Sequence, residues 1–257
     1  MTTDGRLWAS DLNSVTAWTA TSFDSANSYP DKGIGCVRHR EDILAFGTQS
    51  LQVFQNSGLT PFPLGKVPSR TRKVGCISAD AITQISDTVF FAGSAPEGGI
   101  SIFQYDTDVS RISTPELDTL LVLAGASNIT MTSKRVYGRS FVVVNASTDT
   151  YEYVIEEKVW YLVSSTTNLW YKIVGVSIGG TLVNYAISNV STGGKVYRQN
   201  PALLVFTDDG ATYSARIQTD NQGNGGESYS DIEIVGDRET SASVMTILYS
   251  NADFENL

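Results

Sequence analysis

The sequence predicts an all-β fold: β-propeller-like blades of antiparallel strands, with a small additional acidic β-sheet toward the C-terminal end. Three observations carry this. Apolar residues come in runs of roughly four to eight, β-branched and aromatic, and each run ends at a turn. The composition suits short strands, with 22 Gly, 12 Tyr and 10 Phe beside 55 Ser and Thr in 257 residues. A weak repeat runs through the chain. Leu44-Ala45-Phe46-Gly47 followed by Leu51-Gln52-Val53-Phe54 returns about 45 residues later as Phe90-Phe91-Ala92-Gly93 followed by Ile100-Ser101-Ile102-Phe103.

In chain order, strands are expected at 43–46, 51–54, 88–91, 100–103, 140–144, 151–155, 159–163, 169–174, 182–187, 195–197, 203–206 and 244–249. Looser copies of the repeat join 160–163 to 169–172, which sets Trp160 opposite Trp170, and join 185–187 to 195–197 across Gly193-Gly194. One four-stranded blade cannot bury both faces alone, so neighbours must stack on it. A pair of sandwiched sheets is the competing architecture. The one good helix signal is Pro115 to Ala124, with Thr114 as N-cap, Pro at the first helical position and Glu116 in the first turn. At roughly 45 residues per blade the chain holds fewer than six blades. Residues 1–200 are read as the propeller-like domain, incomplete or completed by another segment. Residues 201–257 are read as an acidic β-rich segment with strands at 213–219, 229–235 and 243–250.

Charge separates the two parts. The chain carries a net −9, and residues 201–257 hold ten acids against Arg216 and Arg238. Such a balance argues against binding DNA by phosphate neutralisation; the plain alternative for the acidic end is a solvated surface. One His and two Cys leave little for metal or haem ligation, so no cofactor is expected. Cys36 and Cys76 lack a CxxC spacing and are expected as two buried thiols. The polar start Met1-Thr2-Thr3-Asp4-Gly5 resembles neither signal nor transit peptide, and with no apolar run of 18 residues a soluble chain without a membrane anchor is expected.

Enzyme chemistry finds few residues. His39 sits in Arg38-His39-Arg40-Glu41-Asp42 and is expected in a surface turn, where its cationic neighbours disfavour the imidazolium. GxSxG, HExxH and GxxxxGK[ST] are absent from the sequence. Thr207-Asp208-Asp209-Gly210-Ala211-Thr212 is one residue short of an Asp-box and is read as a hairpin with Asp-Gly at its apex. The sequons at Asn128, Asn145 and Asn189 are read as chance. Two basic clusters stand out: Lys66, Arg70, Arg72 and Lys73, then Lys134, Arg135 and Arg139. They lack the interleaved aromatics of single-strand binders. They are solvated loops, interface anchors toward a neighbouring subunit or adaptor, or phosphate contacts, in that order.

A set of segments then resembles one known family. Ser10-Asp11-Leu12-Asn13 with Thr16 and Trp18, Phe23, Pro30-Asp31-Lys32, and Arg40-Glu41 ahead of Phe46-Gly47 come first. Val53-Phe54-Gln55-Asn56-Ser57-Gly58, Gly75-Cys76, and Arg111-Ile112-Ser113-Thr114 follow, then Trp160, Trp170, Gly194-Lys195-Val196-Tyr197 and Thr207-Asp208-Asp209-Gly210. Over about 7–213 the chain resembles the packaged-DNA stabilisation proteins of short-tailed bacteriophages, which form the tail hub or nozzle below the portal and its adaptor. The resemblance implies a non-enzymatic virion protein, made in the host cytoplasm and assembled as a homohexameric ring. Its partners would be adaptor and portal-side tail proteins, tail fibre or needle proteins, and double-stranded DNA sliding through without specific binding. Such a channel suits a carboxylate wall, for which Asp231, Glu233 and Asp237 are the candidates. The sequence is shorter than the family's chains: it begins where they are part-way along and stops where they continue. Two other functions compete, a sialidase-like or carbohydrate-active propeller acting as a tail depolymerase, and a host-receptor-binding module.

Overall fold

In the computed structural model, which describes residues 1–11, 13–26, 29, 31–94, 98–147, 149–163, 170–178, 181–188, 196–199, 207–208 and 211–212, the chain runs as a succession of antiparallel meanders. β1 (Arg6–Trp8) and β2 (Phe23–Ser25) pair as a two-stranded sheet. The first full blade is β3 (Gly33–His39), β4 (Asp42–Gly47), β5 (Leu51–Asn56) and β6 (Leu64–Lys66), each strand paired with the next. The second is β7 (Ile82–Ile85), β8 (Thr88–Ser94), β9 (Ile100–Tyr105) and β10 (Val109–Arg111). The third is β11 (Ile129–Val136), β12 (Arg139–Ala146), β13 (Asp149–Val154) and β14 (Val159–Val163). A fourth sheet orders β15 (Trp170–Ile178), β16 (Thr181–Ser188) and β17 (Val196–Gln199). Two short strands, β18 (Thr207–Asp208) and β19 (Ala211–Thr212), pair antiparallel with Thr207 opposite Thr212 and Asp208 opposite Ala211. The chain divides into the units Met1–Tyr213 and Ser214–Leu257, and every described residue belongs to the first.

Consecutive strands pair in order within each sheet, which is a propeller's topology and not the Greek key of a sandwich. First strands neighbour one another: β11 lies beside both β7 and β15, and Gly35 of β3 faces Ile82 of β7. The blades therefore stack around a line of first strands, with β6, β10 and β14 outermost. Two-residue turns join first to second strand in each full blade, at His39↔Asp42, Ile85↔Thr88 and Val136↔Arg139. Each opens on a left-handed residue, Arg40 (φ 56°), Ser86 (54°) or Tyr137 (50°), the twist that hairpin turns favour.

The sequence repeat marks the middle of each blade. Leu44, Phe46, Leu51 and Val53 of the first blade pack into one core with Phe90, Phe91, Ile102 and Phe103 of the second and Met131, Val142 and Val144 of the third. Phe46 meets Phe91 edge-on at 4.9 Å, and Phe91 stacks on Phe103 at 5.5 Å. Alternation sends Ala45 and Phe54 to the other face of the first blade, where Leu7, Ala26 and Phe62 cover them. The expected helix is present as α1 (Pro115–Ala124), and the Thr114 hydroxyl accepts from the Leu117 N–H at 3.3 Å.

One expected pairing is wrong. Strand 159–163 does not turn back onto 169–172: β14 pairs with β13, setting Trp160 opposite Tyr153, and β15 pairs with β16 in the next sheet. A local pattern of two apolar runs around a polar stretch does not say whether the runs pair with each other.

Candidate functional site

The chemistry of the described residues sits where blades meet. The segment from Val67 to Ala81 runs between the first two blades and is stitched to both. Arg72 exchanges backbone bonds with Leu51, the Cys76 N–H donates to Gly47, and the Ile77 N–H donates to Ala92, all at 2.9–3.0 Å. At Gly75 a Cβ would overlap the backbone of Thr48 and Gln49. At Gly47 it would strike Asp31, whose Oδ2 accepts from the Gln49 N–H at 2.9 Å and the Ser50 hydroxyl at 3.0 Å. Phe46 and Gly47 thus recur for packing reasons, one filling the core and the other admitting a neighbour's carboxylate.

The first basic cluster is a set of clamps within the chain. Arg70 bonds Asp42 at 2.6 Å and the Tyr105 hydroxyl at 2.7 Å, joining the first blade to the second. Burial lowers and the bonds to Asp42 and Tyr105 raise the Arg70 pKa, with a net rise; burial raises that of Tyr105. Arg72 holds Asp108 at 2.6 and 3.1 Å, which draws that carboxyl below its ordinary value. Lys66 pairs with Asp24 at 3.6 Å, and Lys73 lies over the Tyr29 ring at 5.5 Å. In the second cluster Lys134 pairs with Glu152 under the Phe141 ring, Arg135 bonds Ser86 of the preceding blade, and Arg139 pairs with Glu157 at 2.7 Å. Lys73, Arg135 and Arg139 keep exposed side chains.

Arg111-Ile112-Ser113-Thr114 is a joint as well. Arg111 pairs with Asp118 of α1, and Asp118 also accepts from Ser101 at 2.7 Å. Ser113 Oγ accepts from the Ile102 N–H at 3.0 Å, Thr114 caps α1, and the Ile112 carbonyl accepts the Trp160 indole N–H at 2.9 Å. One tetrapeptide thus ties the second blade to the helix and to the outer strand of the third.

Two expectations need correction. His39 is not a surface turn residue: it is 1% exposed, edge-on to Tyr105 at 5.1 Å, with Asp106 3.9 Å from Nε2. The β3–β4 turn is closed at Arg40-Glu41, which leaves His39 inside the strand on the face that meets the second blade. Cys36 is exposed, on the first strand of its blade, whereas Cys76 is buried and its thiol is pushed up to about 12 by desolvation. The partners Asp42, Tyr105 and Asp108 were missed because they lie 28–36 residues from the arginines they hold. No local pattern signals such pairs. Asp231, Glu233 and Asp237 lie outside the described residues, as do the strands expected at 203–206, 213–219, 229–235 and 243–250. Among the described residues no group of His, Cys, Asp and Glu is placed to hold a metal, and no helix is long and apolar enough to cross a membrane.

Blades in series, locked by buried aromatic contacts and arginine clamps, define a β-propeller scaffold. A family model described as bacteriophage P22 Gp10, β-propeller, matches residues 1–183, from the N-terminal strands into β16. The chain belongs to this phage stabilisation family and is a phage structural protein. No curated protein matches it.

Proposed function

We propose that this chain is a virion component of a short-tailed phage tail, part of the nozzle or hub ring that lies below the portal and adaptor, retains packaged DNA and conducts it at ejection. The observation that carries this reading is the family match across the first three blades. The clamps support it, since Arg70, Arg72 and Lys134 are engaged with acids of their own chain and serve rigidity. A conduit under a pressurised genome needs a stiff wall and no catalytic group, so the reading is non-enzymatic. It takes the ring as a homohexamer made in the host cytoplasm, with tail fibre or needle proteins below it. Of the two basic clusters, Lys73, Arg135 and Arg139 have exposed side chains and are assigned to the contact with a neighbouring subunit or adaptor. The acidic segment with Asp231, Glu233 and Asp237 is assigned to the channel wall, where carboxylates repel phosphate and DNA slides without specific binding.

The test is deletion with complementation. Phage lacking this protein should package DNA and then lose it, and micrographs of complemented particles should place the protein below the adaptor. Retained genomes in the deletion, or density on the head or fibres, overturns the reading. Exchanging Asp231, Glu233 and Asp237 for Lys should slow ejection; unchanged kinetics put the acidic segment outside the channel.

A further inference from the structure

The two faces of the third blade are built from different residues. Successive side chains of a strand point to opposite faces, so each strand divides between its two neighbours. Toward the second blade go Ile129, Met131, Val142, Val144, Tyr151 and Tyr153, all buried in the core that joins the first three blades. The opposite face is read across the ladder. Thr130 lies opposite Asn145, which lies opposite Thr150, and Thr132 lies opposite Val143, which lies opposite Glu152. Thr130, Thr132, Val143, Asn145 and Thr150 are buried there. The fourth sheet lies on this side: β15 neighbours β11, and the Asn184 side chain of β16 donates to the Arg135 carbonyl at 2.8 Å.

Polar groups on this face bond one another inside the third blade. Asn145 Oδ1 accepts from the Thr150 hydroxyl at 2.9 Å, its Nδ2 donates to Thr130 Oγ1 at 3.4 Å, and Lys134 pairs with Glu152. None of these bonds breaks if the fourth sheet moves away. Thr132 Oγ1 is buried with no hydrogen-bond partner among the described residues, and water would supply one. Parting the first and second blades would instead wet Phe46, Phe91 and Phe103, which touch one another across that boundary.

We propose that the blade series parts between the third blade and the fourth sheet, β15–β17 swinging off intact while the first three blades stay one body. The cause is the change of chemistry across one blade, apolar where it holds and polar where it opens. Openings are drawn from the parts of a structure with the fewest buried apolar contacts to lose. The departing sheet keeps its own ladder, since β15 and β16 pair from Trp170↔Ser188 to Ile178↔Thr181. This goes beyond the nozzle reading and does not rest on it.

The full chain is tested in a Cys36→Ser background, which removes the exposed thiol. Val142 and Val143 are adjacent on β12 and both 0% exposed, the first in the apolar core and the second toward the fourth sheet. V142C and V143C change side-chain volume little, so both should fold with wild-type circular dichroism. Iodoacetamide, followed by mass spectrometry at each site, should modify the thiol introduced at 143 at least about tenfold faster than the one at 142, because partial opening is far more frequent than global unfolding. A smaller ratio overturns the proposal. The open fraction read from labelling at 143 should also exceed the fraction read from hydrogen exchange of the β15–β16 ladder amides. A ladder that exchanges as readily as 143 is labelled overturns it too, since the sheet would then be unfolding and not parting. Should either variant fail to fold, M131C and T132C, neighbours on β11 that face the same two ways, take their place with the same readout. Genome retention in deletion phage tests the nozzle reading separately, so either can fail alone.

Discussion

Trp160 donates its indole N–H to the carbonyl of Ile112 across 2.9 Å, while its ring lies 5.0 Å from that of Tyr153. The two bonded residues are 48 positions apart and belong to different blades. The ring packs within its own blade, and the N–H reaches back to the segment that leaves the previous one. Half-buried indoles commonly divide their work in this way, apolar body inward and polar edge to a partner. The joint explains why Arg111-Ile112-Ser113-Thr114 stands out in the sequence: every residue of it holds something outside its own strand.

Trp160→Ala should lower unfolding free energy by about 3–5 kcal/mol, as for loss of a large core aromatic. Trp160→Phe should cost only about 1 kcal/mol, since packing is kept and one hydrogen bond is lost. Denaturant midpoints that do not separate the two variants would show that the Ile112 joint contributes nothing.

Arg70→Met should destabilise by about 2–4 kcal/mol, because Asp42, which is 8% exposed, loses its cation in a site that water scarcely reaches. Lys66→Met, which removes a looser pair at 3.6 Å, should shift stability by under about 1 kcal/mol. Equal melting shifts for the two variants contradict the clamp.

Gly75→Ala should abolish soluble expression or cost more than about 3 kcal/mol, since the new methyl meets rigid backbone of Thr48 and Gln49. Gly58→Ala is the control. Nothing lies within 4 Å of it, and only its φ of +64° resists, for about 1 kcal/mol. Thermal melts of both proteins decide it.

Only one thiol should react with a small alkylating agent in the native protein. Cys36 is open to solvent, while Cys76 is buried with its thiol pushed up to about 12, so little thiolate forms there at neutral pH. Mass spectrometry should find Cys36 modified within minutes and Cys76 only after denaturant is added. Equal labelling rates exclude this packing.

The Arg72–Asp108 pair should show in the acid limb of stability. Asp108 has its pKa lowered, chiefly by the hydrogen bond from Arg72. Its contribution is therefore present above about pH 4 and fades as pH falls through the folded value. The pair is exposed, so its size at pH 7 should stay under about 1 kcal/mol. Arg72→Gln should differ from wild type at pH 6 and converge with it toward pH 2; a gap that persists in acid assigns the effect to packing.

The sequence by itself determined the all-β class, the middle strands of each blade and helix α1 with its Thr114 cap. Those features are local. Leu44 to Phe46, Leu51 to Phe54, Phe90 to Ala92 and Ser101 to Phe103 are buried at every position and read as short, mostly apolar runs, and a cap is a hydrogen bond three residues long. The first strands were less legible, because β3, β7 and β11 mix Gly, Thr, Gln, Arg and His with apolar residues and so break the apolar runs. Outer strands β6 and β10, three residues each, are too short for any period to appear. Tertiary structure alone decided that His39 is buried and that Arg70 and Arg72 are clamps. It also decided that β14 closes its own blade. Each of those outcomes depends on which blade stacks against which, and the groups involved meet across tens of residues, where neighbours in sequence exert no force.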